Sequence, residues 1–190
     1  MKKITFFLAA ICIVFLCSVP AIATPVGFEG TYDPSNWTTT KTNSNGYIDT
    51  NGVPQYIQVI GSNNGSYGVG NTDFTITSPD DGAVSFNWSY TTADWNANYD
   101  PFGYLLNGIF TTLTNPSKTS QSGSSNFVIS AGDIFGFRVH SVDNIYGSAT
   151  AKIFDFDAPA PTPTPEPGTL FLLGSGLLGL GNLTRKKLKQ

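Results

Sequence analysis

Cysteine is almost missing from this chain, and histidine is rarer still. The 190 residues contain two cysteines, Cys12 and Cys17, and both lie in the first apolar run of the sequence. Histidine occurs once, as His140. Beyond residue 23 the chain therefore offers no disulfide and no thiolate ligand, and a zinc site would have one imidazole at most. The stability of that part has to come from its core.

A set of residues typical of nucleophilic hydrolysis is also missing. With one histidine, no Gly-x-Ser-x-Gly turn and no cysteine beyond residue 23, the common catalytic triads cannot be assembled. His140 shares a strand face with Arg138, opposite Phe137 and Val139, and is predicted to be an ordinary surface histidine. Two-carboxylate glycoside hydrolysis needs a pair at a defined separation, and no pattern singles out such a pair. The sequence predicts a protein that is not an enzyme.

Basic residues are scarce in the middle of the chain. Residues 24–164 carry four Lys or Arg against twelve Asp or Glu, a formal charge of −8, while the other six basic residues lie near the two ends. An acidic domain repels the phosphates of nucleic acid, so we expect no nucleic-acid partner. Its field suits metal cations or neutral sugars.

The N-terminal stretch has the pattern of a secretory signal peptide. Lys2 and Lys3 precede an apolar run over residues 4–19, and the small residues Ala21 and Ala23 fit cleavage after Ala23. A lipoprotein signal does not fit, because Cys17 follows two large apolar residues. Residues 1–23 are therefore predicted to form a signal helix that is removed on export.

Residues 24–157 alternate between apolar and polar positions, with turn residues in between, which predicts an all-β domain. The clearest strand is 83–91, and Asn107-Gly108 predicts a two-residue type I′ hairpin turn. The other predicted strands cover residues 27–31, 56–60, 74–76, 104–106, 109–110, 126–130, 134–142 and 148–156. Eight or nine short strands indicate a two-sheet antiparallel sandwich of the jelly-roll type, with a barrel as the alternative.

Two kinds of candidate ligand-binding residue occur in this domain, and no catalytic residue is predicted. Turn-segment carboxylates could hold a structural calcium ion, the one cofactor we consider, or could simply close their turns. These candidates are Asp80, Asp81, Asp94, Asp100, Asp133 and Asp143. Trp37, Trp95 and Tyr99 lie in polar segments, where they could stack on sugar rings or anchor their loops in the core.

The last part of the chain has the composition of a membrane-directed tail. A proline-rich spacer over 158–164 leads to Pro165, Glu166 and Pro167, and an apolar run follows over 169–183. Fifteen helical residues cover roughly 22 Å, short of the roughly 30 Å hydrocarbon core, so this transmembrane helix would be a marginal span. The basic residues Arg185, Lys186, Lys187 and Lys189 would keep its end cytoplasmic. These features alone also fit a permanent C-terminal anchor.

The order Pro-Glu-Pro, Gly-Thr-Leu, Leu/Gly-rich run and Arg-Lys-Lys over residues 165–190 resembles the PEP-CTERM sorting signal of Gram-negative bacteria that make exopolysaccharide. The resemblance implies an exosortase, an integral-membrane cysteine transpeptidase, as partner. That enzyme would cut near Pro165-Glu166-Pro167 after a transient stay in the inner membrane. The protein would then reach the cell surface or the exopolysaccharide matrix.

These observations together predict an exported, non-enzymatic β-sandwich with a structural or adhesive role, sorted by an exosortase. A carbohydrate-binding module that uses exposed aromatic residues is the first alternative, with exopolysaccharide as the candidate ligand. An enzyme acting on glycans is the second. Exposed rings in one loop cluster would favour the binding module, whereas buried rings would favour the structural role.

Replacing Pro165, Glu166 and Pro167 by Ala separates a sorting signal from a simple anchor. The hydrophobicity of residues 169–183 is unchanged, so membrane insertion should survive while processing stops. In a host with an exosortase, immunoblots of membrane and surface fractions should show the unaltered protein without its tail outside the inner membrane. The triple variant should stay full length in the membrane. Identical fractionation of both forms would contradict the sorting signal.

Overall fold

The structure is a computed structural model that describes residues 26–161 and 173–177. The predicted signal peptide with Ala21 and Ala23, the residues 165–167 and the basic residues 185–189 lie outside the described part, as does most of the predicted membrane helix. Residues 173–177 are helical. Among the described residues, no helix is long and apolar enough to cross a membrane.

Ten strands form within residues 26–161. They are β1 (Thr38–Thr42), β2 (Tyr47–Asp49), β3 (Tyr56–Ile60), β4 (Gly70–Thr77), β5 (Gly82–Thr92), β6 (Phe102–Leu106), β7 (Ile109–Thr112), β8 (Ser120–Ile129), β9 (Ile134–Ser141) and β10 (Ala149–Asp157). Two short 3-10 turns, Gly30–Tyr32 and Pro34–Asn36, precede β1. The all-β prediction is confirmed.

The strands make two five-stranded sheets in which all pairs are antiparallel. The first sheet has the order β1-β4-β9-β6-β7 and the second has the order β2-β3-β10-β5-β8. From β3 onward the chain changes sheet at every connection except the β6–β7 hairpin. This arrangement is the predicted sandwich, and open edges at β1, β7, β2 and β8 rule out a closed barrel.

Strand β5 shows why the sequence folds into two facing layers. Val84, Phe86, Trp88 and Tyr90 are buried, and the residues between them are partly exposed, as the alternation predicts. The strand lies inside the second sheet, between β10 and β8. Its apolar side therefore faces the first sheet and its polar side faces solvent.

The predicted hairpin turn is confirmed. Asn107 and Gly108 both have positive φ, 50° and 82°, and they join β6 to β7 in register. Positive φ at both central positions defines the type I′ turn, which Asn-Gly adopts most readily.

Trp37 is the centre of the aromatic core between the sheets. Its indole stacks on Phe74 and Phe137, with ring centroids 4.8 Å and 5.8 Å away. Its Nε1–H donates to the carbonyl of Tyr32 over 3.0 Å, which leaves no unpaired polar group on the ring. Edge-on or tilted contacts add Phe28, Tyr32, Phe135 and Phe156. The cluster joins the N-terminal segment to both sheets.

The N-terminal third differs from the prediction. The segment 27–31 is not a strand, because a bend and a 3-10 turn place Phe28 and Tyr32 in the core. Strands β1 and β2 were not predicted: they are edge strands, and the five residues of β1 are all exposed, so no apolar alternation marks them. The first half of β8 was also missed, since it consists mostly of Ser, Gln and Gly.

The predicted proline-rich spacer begins against the domain rather than beyond it. Ala158 is buried, and the Tyr32 hydroxyl donates to the carbonyl of Pro159 over 2.6 Å. Burial of this phenol raises the pKa of Tyr32 to about 12, so the hydroxyl stays a donor at any physiological pH. The domain therefore extends past residue 157.

Replacing Trp37 by Ala should destabilise the domain by about 3–5 kcal/mol, because it removes the ring on which the core aromatics pack. Urea unfolding followed by circular dichroism measures the change. The control is Trp95→Ala, which removes an indole that is 80% exposed and should change the free energy of unfolding by no more than about 0.5 kcal/mol. Equal destabilisation by both variants would contradict this account of the core.

Candidate ligand-binding loops

Five connections meet at one end of the sandwich, which we call the loop end. They are residues 43–46, 61–69, 93–101, 113–119 and 142–148. The registers place them together: Thr42 pairs with Asn71, Ala149 with Thr92, and Tyr47 with Ile60. The turns at 50–55, 78–81, 107–108 and 130–133 lie at the opposite end.

Exposed aromatic side chains gather at the loop end. Among the described residues, those with large exposed rings are Tyr47, Tyr67, Trp95, Tyr99 and Tyr146. All five lie in these loops or directly beside them. The large apolar residues exposed around the opposite end are aliphatic, namely Val53, Ile109, Val128 and Ile134. The ends of the sandwich are thus chemically different.

Backbone hydrogen bonds tie the aromatic loops to one another. The loop 93–101 is joined to 142–148 twice, by Ala93 N–H to Ser148 O over 3.2 Å and by Val142 N–H to Tyr99 O over 2.8 Å. The loop 142–148 is joined in turn to 61–69, since Gly65 N–H donates to Asn144 O over 2.8 Å. Three ring-bearing loops therefore form one connected surface.

The Asn144 side chain links the loops of this surface through hydrogen bonds. It is fully buried, and its Nδ2 donates to the carbonyl groups of Asn43 and Gly68 over 3.0 Å and 2.6 Å. Tyr67 and Tyr146 both have positive φ, 56° and 65°, which is uncommon for a bulky residue. Such conformations persist where the surroundings impose them, so the tyrosine positions are set by the hydrogen-bonded loops.

The three predicted sugar-stacking residues separate into two groups. Trp95 is 80% exposed and Tyr99 is 37% exposed, and both lie in the loop 93–101. Trp37 is 7% exposed and belongs to the core cluster described above, so its prediction as a glycan-contacting residue is wrong. The neighbours of Trp37, Asn36 and Thr38, are polar because Asn36 ends a 3-10 turn and Thr38 begins an exposed edge strand. Their polarity therefore does not show that Trp37 is exposed. Tyr67 and Tyr146 were not predicted as ligand-binding residues, because each is a single aromatic residue in a loop without a recognisable sequence motif.

Asp94 and Asp100 belong to the loop that carries Trp95, and both side chains are buried. Asp94 Oδ1 accepts from the backbone N–H of Trp95, while Asp100 Oδ2 accepts from the Thr92 hydroxyl over 3.0 Å. The same Thr92 oxygen accepts from Asp94 N–H over 3.1 Å, so one hydroxyl bridges the two residues. The other carboxylate oxygens, Asp94 Oδ2 and Asp100 Oδ1, are buried and have no hydrogen-bond partner.

Burial raises the pKa of Asp100 to about 6, and the nearby charges of Asp94 and Asp143 act in the same direction. The nearby hydroxyl groups of Ser141 and Thr92 oppose this shift only in part. Tyr90, whose hydroxyl donates to the carbonyl of Asp100 over 2.8 Å, also has a raised pKa because it is buried. Two buried acidic side chains therefore lie in the loop that carries the exposed indole.

The six calcium candidates are split between the two ends of the sandwich. Asp80, Asp81 and Asp133 lie at the opposite end, where each accepts a backbone N–H, from Asp81, Ala131 and Ser130 respectively. The Asn107 amide also donates to Asp133 over 2.9 Å and, with Ser130, lowers the pKa of that carboxyl. Asp94, Asp100 and Asp143 lie at the loop end. Within the described ranges, no three His, Cys, Asp or Glu side chains are placed to hold one metal ion.

His140 is on the outer face of the first sheet, as predicted, but it is only partly exposed. Its Nδ1 lies 2.7 Å from Asn71 Oδ1, and burial, followed by the charge of Arg138, lowers its pKa. Arg138 binds Asp73 through two hydrogen bonds of 2.7 Å and 2.6 Å and covers the Phe110 ring. A depression of about 420 Å³ lies beside this pair. The charges here are already paired, so the face offers neutral contacts.

Comparison with known proteins identifies the tail. Residues 163–186 match the PEP-CTERM protein-sorting motif, so the chain carries this exosortase-directed signal of export and surface sorting. No curated protein matches the chain.

Several solved structures are similar to part of this chain. A family 35 carbohydrate binding module from Clostridium thermocellum is 13% identical, covers 66% of this chain and 95% of its own, and has a TM-score of 0.34. The module CBM6cm-2 from Cellvibrio mixtus lichenase 5A, in complex with cellotriose, is 9% identical over 67% and 95% of the two chains, with a TM-score of 0.38. Rabbit GITRL is 18% identical over 50% and 74%, with a TM-score of 0.28. Likeness at this level carries no functional argument.

Replacing Asp100 by Asn should remove a pH dependence from stability. A folded-state pKa of about 6, above the usual 3.8, means that the native protein binds more protons than the unfolded chain between these values. The stabilising proton is in place below about pH 4 and is lost as pH rises through 6, at a cost of about 3 kcal/mol. Urea unfolding at several pH values, in chelator, should show the variant gaining stability relative to wild type over this window. A constant difference would contradict the raised pKa.

Proposed function

We propose that this protein is an exported carbohydrate-binding protein whose exposed rings at the loop end bind neutral polysaccharide outside the inner membrane. The observation that carries the proposal is Trp95, which is 80% exposed in a loop whose backbone is held by hydrogen bonds. An indole in water is unfavourable, and no described residue covers it. Sugar rings stack on such faces.

The surrounding residues favour a sugar over other ligands. Tyr67, Tyr99 and Tyr146 supply further rings with hydroxyl groups on loops connected to that of Trp95. Because the loops are held in place, little conformational entropy is lost when a ligand binds. The formal charge of −8 over residues 24–164 disfavours polyanions, which leaves neutral glycans.

Binding rather than hydrolysis fits the carboxylates beside the rings. Asp94 and Asp100 are the acidic residues closest to Trp95 in the loop, and they are 4% and 0% exposed. A general acid or nucleophile has to reach the glycosidic bond from the surface. Neither carboxylate does so, and we therefore propose a protein without enzymatic activity.

The sorting motif supplies the location of this function. We propose that the chain enters the inner membrane through its C-terminal apolar run and is then processed by the exosortase, which places the loop end in the polysaccharide-rich space outside. A purely structural role in the matrix is the rival function. The grouping of Trp95 with Tyr67, Tyr99 and Tyr146 on connected loops favours the binding role over it.

Native gel electrophoresis in the presence of dextran, laminarin, xylan or galactomannan tests the proposal. At least one of these polysaccharides should retard the wild-type chain, and Trp95→Ala should weaken the binding by about tenfold or more. Tyr146→Ala should weaken it less, because a phenol offers a smaller stacking surface.

The matched control is Ile109→Ala, which removes an equally solvated side chain, 72% exposed, at the opposite end. Its retardation should equal that of the wild type. If none of the four polysaccharides nor the producing cell's own exopolysaccharide retards the wild type, or if Trp95→Ala and Ile109→Ala behave alike, the proposal is wrong.

A further inference from the structure

The carboxylates of Asp94 and Asp100 are the least satisfied polar groups in the described part of the chain. They are 4% and 0% exposed, and each keeps one oxygen without a hydrogen-bond donor. Two other buried atoms lack a partner, Trp88 Nε1 and Asn144 Oδ1, but both are neutral. A desolvated carboxylate oxygen without a partner is far more costly than an unpaired indole or amide atom. Two of them in one loop require compensation.

No basic residue compensates these charges. The one ion pair among residues 26–161 joins Arg138 to Asp73, on the outer face of the first sheet. The charged groups that act on Asp100 are Asp94 and Asp143, and both are negative. The residues packed beside it, Tyr90, Thr92 and Ser141, offer hydroxyl groups and no charge. Positive charge has to come from outside the protein.

Asp94 and Asp100 are close neighbours, since the negative charge of Asp94 acts on the Asp100 carboxyl. Thr92 Oγ1 contacts both residues, as acceptor from Asp94 N–H and as donor to Asp100 Oδ2. The loop 93–101 is clamped at both ends by 142–148, so the two carboxylates cannot separate to reach solvent. Hard oxygen donors of this kind, carboxylate and hydroxyl, are the ligands that calcium selects, with water completing its six to eight contacts.

We propose that Asp94 and Asp100 bind a calcium ion beneath the Trp95 loop, with the hydroxyl groups of Thr92 and Ser141 as neutral neighbours. The site has two carboxylates only, since no three His, Cys, Asp or Glu side chains in the described ranges are placed to hold one metal ion. Such a site has moderate affinity, in the range of about 10⁻⁴ to 10⁻³ M typical of extracellular modules. The ion fixes the loop that presents the indole, and this holds whether or not the rings bind sugar.

Terbium luminescence tests the site directly, because a bound lanthanide is excited by an adjacent aromatic ring. The full-length chain in detergent should give saturable terbium emission that calcium displaces, and calcium should raise its melting temperature relative to chelator. Asp100→Asn and Asp94→Asn should each weaken terbium and calcium binding by about tenfold or more, since each removes one of two charged ligands. Asp94→Asn keeps an acceptor for Trp95 N–H, so it provides a second variant if Asp100→Asn does not fold.

The control is Asp80→Asn, which removes a carboxylate from a turn at the opposite end and should leave emission and the calcium effect unchanged. Emission that is equal in Asp80→Asn and Asp94→Asn would show that terbium binds elsewhere and would overturn the proposal. Absence of both emission and a calcium-dependent melting shift in the wild type would also overturn it and would leave a proton as the compensating charge on Asp100.

Discussion

The rest of this structure depends on the packing of Trp37 between two sheets that no covalent bond joins. The described part of the chain has no cysteine, so the sheets are held by the burial of aromatic rings. Trp37 stacks on Phe74 of the first sheet and meets Phe156 of the second edge-on. The segment before β1 thereby becomes part of the core, although it contributes no strand.

Most core residues come from the strands and the N-terminal segment, so the loops contribute little to the core. Their side chains are therefore available for binding. The loops that carry the exposed rings are joined to one another by backbone hydrogen bonds. Asn144, buried at the base, holds Asn43 and Gly68 with one amide group. Exposed Trp95 and Tyr146 are then presented by a rigid scaffold, as binding residues in many folds are.

The excess of acidic residues in the domain affects both its surface charge and one buried site. Over the whole surface it disfavours anionic partners, and the sorting motif implies export and sorting to the cell surface. At short range it produces the unpaired carboxylates of Asp94 and Asp100. The proposed cation at Asp94 and Asp100 is compatible with a neutral sugar on the exposed rings, since it would neutralise negative charge that is buried in the same loop.

The sequence by itself determined the C-terminal sorting motif, the all-β class and the inner strands, since these depend on local composition and on a two-residue period, as in Val84 to Tyr90. Edge strands such as Thr38–Thr42 were not predictable, because neither of their faces is buried. Whether a tryptophan is core or surface was decided by tertiary structure alone: Trp37 and Trp95 have similar polar neighbours, yet one is surrounded by rings from distant strands. The same holds for Asp94 and Asp100, whose burial results from a loop clamped by residues far away in the chain.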